Sequence, residues 1–253
     1  SKRHSKCVFK PVYSRFATHT LIDPSERKLA KALQSKRGEW VGQEFLPGQE
    51  FCSYSVAHEG RLLAHVCYEP VLRAGLGSGI YFIPCNLSEI TEFVRLFVMK
   101  NKFTGQIGFD FRVNTSGTFV IDCNPRATSG VHLFKHTYKQ LGRALLGKGL
   151  SGEGILATKI EPRMIAGAML AFLPSTLTQA GGGRNWIDLW KNASDVIASE
   201  LDPWPKWGQF ISFAEIIGRS VLRRSSIRAA STADIRCAHH CSVCWTCSAS
   251  STS

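Results

Sequence analysis

The chain has 253 residues, 44% of them hydrophobic, and its 31 basic and 19 acidic side chains give a formal net charge of +12. This length can bury a real core and suits one or two domains. No apolar run approaches the ~20 residues that span a bilayer, and the opening SKRHSK lacks the apolar segment of a secretory signal. The sequence predicts a globular protein without a transmembrane segment, with the cytoplasm as its default location.

The first hundred residues carry the patterns of both helices and strands. Asp23-Pro24-Ser25-Glu26 combines an N-cap, a proline at the first helical position and an acid, which predicts a helix to about Lys36. Strand-like segments separated by turn residues then predict an antiparallel meander over 40–45, 50–56 and 61–69. Apolar residues at helical spacing predict an amphipathic helix over 90–98.

Residues 105–124 have the pattern of a β-hairpin. Apolar and polar residues alternate on both sides of Thr115-Ser116-Gly117. If these three residues form the loop and Gly117 takes a positive φ, Asn114 pairs with Thr118. Counting down the ladder, Asp110 then lies opposite Asp122.

Two opposed acids of this kind favour a cation between them. Their Cβ atoms would be roughly 4.5–5.5 Å apart, where two bare negative charges destabilise a sheet. Oxygen ligands from Asp110, Asp122 and Asn124 suit Mg²⁺ or Mn²⁺, and Mg²⁺ commonly completes its coordination with substrate phosphates. Arg126 follows with a planar fork suited to phosphate. The alternative is an exposed hairpin whose acids pair with Arg112 and Arg126.

The hairpin sequence GFDFRV, followed by FVIDCNPRATSG, resembles the metal-binding hairpin of the ATP-grasp superfamily, typified by the carbamoyl-phosphate synthetase large subunit and related carboxylate-amine ligases. Two upstream segments resemble further motifs of that superfamily, in the required order. CVFKPVY, residues 7–13, is similar to the strand whose lysine contacts nucleotide phosphates, which indicates Lys10. WVGQEFLPGQEF, residues 40–51, is similar to the strand that holds adenine and ribose. By this resemblance the adenine residues are Gln43, Glu44 and Leu46, and the ribose residue is Glu50.

The resemblance implies an α+β fold of the ATP-grasp type, in which two lobes of antiparallel sheet and helices close on a nucleotide. It implies ATP and Mg²⁺ (or Mn²⁺) as cofactors and an ATP-dependent ligase that activates a carboxylate as an acyl phosphate for attack by an amine or similar nucleophile. The metal and Arg126 would stabilise the transferred phosphoryl group. Which carboxylate and which amine act as substrates is left open.

The predicted organisation has four parts. We expect a partial small lobe over 1–46, a large lobe with the metal hairpin over 47–150, a C-terminal extension over 151–236 and a Cys-rich, disordered tail over 237–253. Superfamily members carry further segments before this point, so we expect an N-terminally truncated fragment whose catalytic competence is open.

The charge of the chain supports a second hypothesis, a non-enzymatic binding module for nucleic acid or an anionic membrane surface. Residues 210–228 could form a basic amphipathic helix. No nucleic-acid-binding motif is present, and a solvated helix is favoured.

Three further features concern His and Cys residues. The tail cysteines could bind Zn²⁺ or an iron-sulfur cluster, but an unstructured or aberrant terminus is favoured; they are Cys237, Cys241, Cys244 and Cys247. His132 and His136 lie four residues apart on a helix predicted over 131–145, where surface histidines are commoner than ligands. The remaining cysteines are expected to be buried thiols, with Cys123 on the apolar side of the hairpin.

Overall fold

The computed structural model describes residues 6–12, 20–35, 39–74, 78–148, 155–197, 202, 204–224 and 230. The chain separates into two compact units, Ser1–Ala198 and Ser199–Ser253. The strands of the first unit are β1 (Cys7–Pro11), β2 (Leu21–Ile22), β3 (Trp40–Glu44), β4 (Gln49–His58), β5 (Arg61–Ala74), β6 (Ser78–Cys85), β7 (Gly105–Asn114), β8 (Gly117–Asn124), β9 (Arg163–Met164) and β10 (Ser194–Asp195). Its α-helices are α1 (Glu26–Ser35), α2 (Ser88–Lys100), α3 (Tyr138–Leu145), α4 (Ala166–Ala171), α5 (Leu173–Gln179) and α6 (Gly183–Asn192), and a 3-10 helix covers Ser129–Thr137.

Strands β1, β2 and β3 form a small antiparallel sheet in the order β2-β1-β3. The predicted first helix is α1, which begins at Glu26, and the Ser25 carbonyl accepts the first helical hydrogen bond from the Leu29 amide at 2.9 Å. In the ladder between β1 and β3, Lys10 pairs with Val41 and Val8 pairs with Gln43. Cross-strand partners and residues two apart share a face, so Lys10 and Gln43 lie on the same face of this sheet.

The large sheet has the order β10-β9-β6-β5-β4-β7-β8. The predicted antiparallel pairing of residues 50–56 with residues 61–69 is confirmed in β4 and β5. The meander as a whole is not formed, because its first predicted strand, β3, pairs with β1 in the small sheet, and β6 follows β5 instead. The sequence prediction ended this meander at residue 69, whereas β5 continues to Ala74 and β6 follows it. Pro70, Gly79 and Pro84 obscure the strand pattern there, since proline and glycine are normally rare inside strands.

Each face of the large sheet is covered by helical structure. Helix α2 lies on one face, where Ile90, Val94 and Val98 are fully buried and Phe93 and Phe97 are partly buried. This cluster also contains aromatic and aliphatic side chains of the strands, namely Phe51, Ala57, Leu62, Ile107, Phe109 and Phe111. On the other face the 3-10 helix and α3 pack Leu133, Phe134 and Leu141 against β4 and β5. The spacing that predicted α2 therefore identified its buried side correctly.

The helix predicted over 131–145 is two helices. The 3-10 helix runs from Ser129 to Thr137, Phe134 has non-helical angles within it, and α3 follows. The tight start has a steric reason, because a Cβ on Gly130 would lie 2.4 Å from the Cβ of Tyr54. The backbone therefore contacts the sheet surface at Gly130, and a regular α-helix begins only at Tyr138. Gly147, with φ +71°, ends α3 as the pattern predicted.

Part of the predicted C-terminal extension joins the large sheet. Arg163 pairs with Phe82 of β6, and β10 runs parallel to β9. Both strands have two residues, which is too short for a periodic pattern to reveal them. The large sheet thus draws strands from both sides of the expected boundary at residue 150.

The second unit contains α7 (Trp204–Leu222). Its exposed apolar residues include Trp204, Trp207, Ile211 and Leu222. The helix covers most of the basic amphipathic helix expected over 210–228, of which residues 225–228 lie outside the described part. In the described ranges, no helix combines the length and apolar character needed to cross a membrane.

Candidate functional site

The predicted β-hairpin is formed by β7 and β8, with a shorter turn than expected. The turn has two residues, Thr115 and Ser116, so Asn114 pairs with Gly117 and not with Thr118. The backbone amide of Ser116 donates a hydrogen bond to the Asn114 side-chain oxygen at 2.8 Å. This side-chain hydrogen bond stabilises a turn that is one residue shorter than the expected loop. Gly117 has the positive φ that the prediction required, at +136°.

A β-bulge in β8 nevertheless places Asp110 opposite Asp122. Phe111 pairs with Val120 and Asp110 pairs with Asp122, which leaves Ile121 as the extra residue. Without this bulge Asp122 would shift by one position and point to the apolar face of the hairpin. The prediction of the acid pair is confirmed, although the residue that restores the register lies in the strand and not in the loop.

Asp110 lies in a largely buried environment. Burial raises the pKa of its carboxyl group to about 6, a hydrogen bond with the Cys52 thiol opposes this, and the negative charges of Glu50 and Asp122 add to it. Cys52 is the cross-strand partner of Asp110 on β4. The negative charge of the Asp110 carboxylate is therefore poorly compensated by its surroundings. A cation beside it would lower the pKa of Asp110.

Lys10 crosses from the small sheet to this acid pair. Its Nζ donates to the carboxylate of Asp122 at 3.2 Å and to the carbonyl of Ile121 at 2.9 Å. The bulge thus has two effects at the site, because it orients Asp122 and because its extra residue supplies the second acceptor for Lys10. Two residues that the sequence assigned to separate motifs, 112 positions apart, are in direct contact.

Glu50 lies on the same face of the large sheet, at the start of β4. Its two carboxylate oxygens accept from Arg73 at 2.6 Å and from Arg112 at 2.9 Å. Arg112 also donates to the Gly48 carbonyl at 2.9 Å. Glu50, the residue predicted to bind ribose, therefore has both carboxylate oxygens paired with guanidinium groups in this structure.

Asn124 and Arg126 lie at the end of β8 and contact each other. Asn124 pairs with Gly108, two residues along the ladder from the acid pair and therefore on the same face. The exposed Arg126 donates from Nη2 to the Asn124 side-chain oxygen and from Nη1 to the Ala127 carbonyl, both at 3.0 Å. A phosphate in front of β8 could be reached by rotation of the Arg126 side chain, which would also free the Asn124 oxygen.

The residues assigned to adenine lie where the small sheet leads into the large one. Gln43 is half-buried on the face shared with Lys10, and Glu44 is exposed at the end of β3. Leu46 is half-buried in the four-residue connection to β4. This connection is held by side chains of the hairpin, since Pro47 and Gly48 offer their carbonyls to Asn114 and Arg112. The structure thus places the adenine residues at the joint between the sheets, on the chain that leads from Lys10 to Glu50.

The other sequence candidates lie away from this group. His136 pairs with Glu161 at 2.9 Å, and burial lowers the pKa of His132. In a 3-10 helix with three residues per turn, positions four apart point in different directions, which disfavours a shared metal. Cys123 was expected on the apolar side; it does pair with Phe109, but it is exposed because β8 is an edge strand. The Cys-rich tail lies outside the described residues.

The alternative interpretation of the hairpin predicted different partners for the acids. Asp122 pairs with Lys10, Arg112 pairs with Glu50, and Arg126 binds the Asn124 amide. The sequence analysis missed Arg73 and Cys52 as neighbours of the acids. Only the pairing of β4 with β5 and β7 brings them there, and a single sequence carries no signal for such non-local pairing.

The donor set of the hairpin fits a hard divalent cation. It consists of two carboxylates on adjacent strands and a nearby amide oxygen, which matches the oxygen ligands that Mg²⁺ and Mn²⁺ prefer. In the described residues no group of three or more His, Cys, Asp or Glu side chains is arranged to hold a metal ion. Mg²⁺ bound by few protein ligands commonly completes its coordination with water and substrate phosphates.

No family model and no curated protein matches this sequence. Solved structures do share parts of the fold. They include N5-carboxyaminoimidazole synthetase from Staphylococcus aureus complexed with ADP (12% identity, TM-score 0.49, 67% of this chain and 49% of that chain). The biotin carboxylase domain of 2-oxoglutarate carboxylase from Hydrogenobacter thermophilus, with MgADP, ADP and bicarbonate, matches with 13% identity, TM-score 0.47, and 59% and 38% coverage. L-amino acid ligase from Bacillus licheniformis matches with 16% identity, TM-score 0.38, and 53% and 35% coverage.

The chain spans less than half of the length of each of these three structures, between 35% and 49%.

Proposed function

We propose that this chain binds ATP together with Mg²⁺ or Mn²⁺ between its small sheet and the β7–β8 edge of its large sheet. The observation that carries the proposal is the contact of Lys10 with Asp122, opposite Asp110. A lysine from one sheet and two acids from another meet at one place, with a basic side chain, Arg126, at the end of the same strand. Cationic groups for phosphate beside paired carboxylates for a cation are what a metal-nucleotide complex requires.

The proposal assigns a distinct task to each residue. Lys10 would contact the nucleotide phosphates, and Asp110, Asp122 and Asn124 would hold the cation. Adenine would lie at the joint formed by Gln43, Glu44 and Leu46. Glu50 would contact the ribose after one of its guanidinium partners gives up its carboxylate oxygen.

We further propose that the chain is the nucleotide-binding part of an ATP-dependent carboxylate-amine ligase. An oxygen of the substrate carboxylate attacks the γ-phosphorus, the bond to the β,γ-bridging oxygen breaks, and ADP leaves. The nitrogen of an amine then attacks the acyl carbon, phosphate leaves, and the amine nitrogen loses a proton. The bound cation would supply charge neutralisation at the phosphates. Arg126 and Lys10 orient and neutralise the oxygens of the transferred group, so the chemistry requires no side-chain nucleophile.

The contact between Lys10 and Asp122 has to open when the nucleotide binds. The side chains are 24% and 49% exposed, and ion pairs this accessible contribute at most about 1 kcal/mol. A triphosphate offers Lys10 several anionic oxygens, and a cation offers Asp122 a stronger partner. The cost of separating the pair is therefore small compared with the charge interactions that replace it.

Titration with a fluorescent ATP analogue, with and without Mg²⁺, tests the proposal. In the wild-type chain Mg²⁺ should raise the affinity, and in Asp122→Ala this dependence on Mg²⁺ should be lost. Asp188→Ala is the matched control, because Asp188 is an exposed aspartate on α6, distant in sequence from the hairpin. Asp188→Ala should titrate like the wild type.

Two outcomes would contradict the proposal. One is a titration of Asp122→Ala in Mg²⁺ that is unchanged from the wild type. The other is salt-dependent binding to DNA or anionic vesicles, with no ATP binding, that Asp122→Ala leaves intact; this result would favour the basic binding module instead.

A further inference from the structure

Two thiols lie side by side on β5 and β6, on the face of the large sheet opposite to the acid pair. Cys67 and Cys85 are direct cross-strand partners, and their Sγ atoms are 3.4 Å apart. Both are free thiols, and Cys67 is buried whereas Cys85 is half-buried. They point to the face of the sheet covered by α2, since both belong to the cluster around that helix.

From this geometry we propose that Cys67 and Cys85 are a redox-active pair. A peroxide oxidises the two thiols to a Cys67–Cys85 disulfide, and the reaction is reversible. Directly opposed residues of an antiparallel pair have Cα atoms about 4.5 or 5.5 Å apart, and both values lie within the range that disulfides accept. The sulfur atoms need to approach by little more than 1 Å to reach the bond length of about 2.05 Å. Rotation of the two side chains supplies this movement without a shift of the strands.

The surroundings assign different roles to the two thiols. Cys85 is the accessible one, and the hydrogen bond with Cys67 lowers the pKa of Cys85. A thiolate that a peroxide can reach is the form that reacts. Cys67 is held against it by the register of the two strands and is positioned to resolve the first product.

The reaction has two balanced steps. The Cys85 thiolate attacks one peroxide oxygen, the O–O bond breaks, and hydroxide leaves, so Cys85 becomes a sulfenic acid. The Cys67 sulfur then attacks the Cys85 sulfur, the S–O bond breaks, and the Cys67 proton leaves with that oxygen as water. Overall the two thiols lose two electrons and two protons, and hydrogen peroxide is reduced to water.

Peptide mapping of the full chain tests this directly. Trypsin cleaves after Arg61, Arg73 and Arg95, so Cys67 and Cys85 fall in separate peptides, 62–73 and 74–95. After treatment with about one equivalent of hydrogen peroxide per chain and alkylation of free thiols, we expect these two peptides as one cross-linked species. Its mass should be lower than the sum of the two reduced peptides by two hydrogen atoms, and dithiothreitol should restore both free peptides.

Variants separate this pair from the other cysteines of the chain. Cys85→Ser and Cys67→Ser should each abolish the cross-linked species. Cys123→Ser is the matched control, because Cys123 is exposed on an edge strand and should not alter the cross-link. If Cys67→Ser fails to fold, the cross-linking experiment on the wild-type chain still tests the proposal.

Two results would overturn the proposal. The first is that both peptides remain fully alkylatable under conditions that oxidise Cys123. The second is that Cys85 proceeds to sulfinic acid with Cys67 still reduced, which would show that Cys67 does not resolve the intermediate.

Discussion

The proposed role of Lys10 in binding phosphate rests on its contact with Asp122 in the folded chain. It lies on a short strand with polar neighbours, and its sequence context alone does not distinguish it from a solvated lysine. In the structure it bridges two sheets through Asp122 and the Ile121 carbonyl. Under the proposed function, its ammonium group would contact the phosphates of a metal-bound nucleotide.

Replacing Lys10 by methionine should therefore affect binding more than stability. A hydrogen bond to a charged group contributes about 1.5–3 kcal/mol, so Lys10→Met should weaken binding of the ATP analogue by roughly tenfold to a hundredfold. Its melting temperature should stay close to that of the wild type, because the pair with Asp122 is partly exposed.

Lys139→Met, at an exposed position on α3, is the control and should change neither quantity. A variant Lys10→Met that binds the analogue as tightly as the wild type would show that Lys10 does not contact the phosphates.

Gly48 shows a different constraint at the joint between the sheets. Its φ is +142°, and a Cβ there would lie 2.4 Å from the carbonyl oxygen of Val113. The backbone can therefore approach the hairpin only without a side chain, and this approach lets the Gly48 carbonyl meet Arg112.

Gly48→Ala should lower the free energy of unfolding by about 2 kcal/mol or more, because it combines a strained φ with a backbone clash. Gly142→Ala is the control, since nothing lies within 4 Å of its Cβ position inside α3. That variant should gain about 0.5–1 kcal/mol from the higher helix propensity of alanine. Urea denaturation measures both, and equal stabilities would contradict the proposed steric role of Gly48.

At the scale of elements, the β7–β8 hairpin shows what a single sequence can and cannot predict. Alternation of apolar and polar residues identified both strands and the pairing of Asp110 with Asp122. It did not identify the two-residue turn or the bulge at Ile121. A two-residue turn followed by a bulge gives the same register at Asp110 and Asp122 as a three-residue loop without a bulge. The alternation pattern could not distinguish these two backbone arrangements.

Helix α2 is joined to the sheet by a buried polar contact as well as by its apolar stripe. His65 of β5 lies with Nδ1 2.9 Å from the Ser55 hydroxyl and with Nε2 3.2 Å from the Thr91 hydroxyl of α2. Burial lowers the pKa of His65 to about 4. The imidazole is therefore neutral in the folded chain down to acidic pH.

The stability of this packing should depend on pH. An unfolded histidine has a pKa near 6.5, so below that pH the unfolded chain binds a proton that the folded chain does not. Stability should fall from about pH 6.5 to about pH 4, with a total contribution of about 3 kcal/mol, and the loss should level off below the folded pKa.

Comparison with His65→Gln isolates this contribution, because other titrating groups are common to both chains. Urea denaturation at a series of pH values should show that the variant lacks this component. Parallel pH profiles for the two chains would mean that His65 does not titrate differently on folding.

At the scale of the whole molecule, α1, α2 and the antiparallel pairing of β4 with β5 followed from local patterns. Strands β6, β9 and β10 did not, because prolines and glycines or a length of two residues removed their periodicity. The convergence of Lys10 on Asp122 required the placement of one sheet over the edge of the other. The relative position of the two sheets depends on tertiary packing, which secondary-structure propensity and hydrophobic periodicity do not predict.

The central claim is that two acids of one hairpin share a cation that binds a nucleotide's phosphates beside Lys10. A crystal structure of the chain with Mn²⁺ and a non-hydrolysable ATP analogue, with anomalous scattering recorded for Mn²⁺, tests it most directly. We predict an anomalous peak within coordination distance of oxygens from Asp110, Asp122 and the analogue's phosphates, with the Lys10 Nζ moved from Asp122 to a phosphate oxygen. A peak elsewhere, or an analogue bound away from Lys10 while its contact with Asp122 persists, would contradict the account.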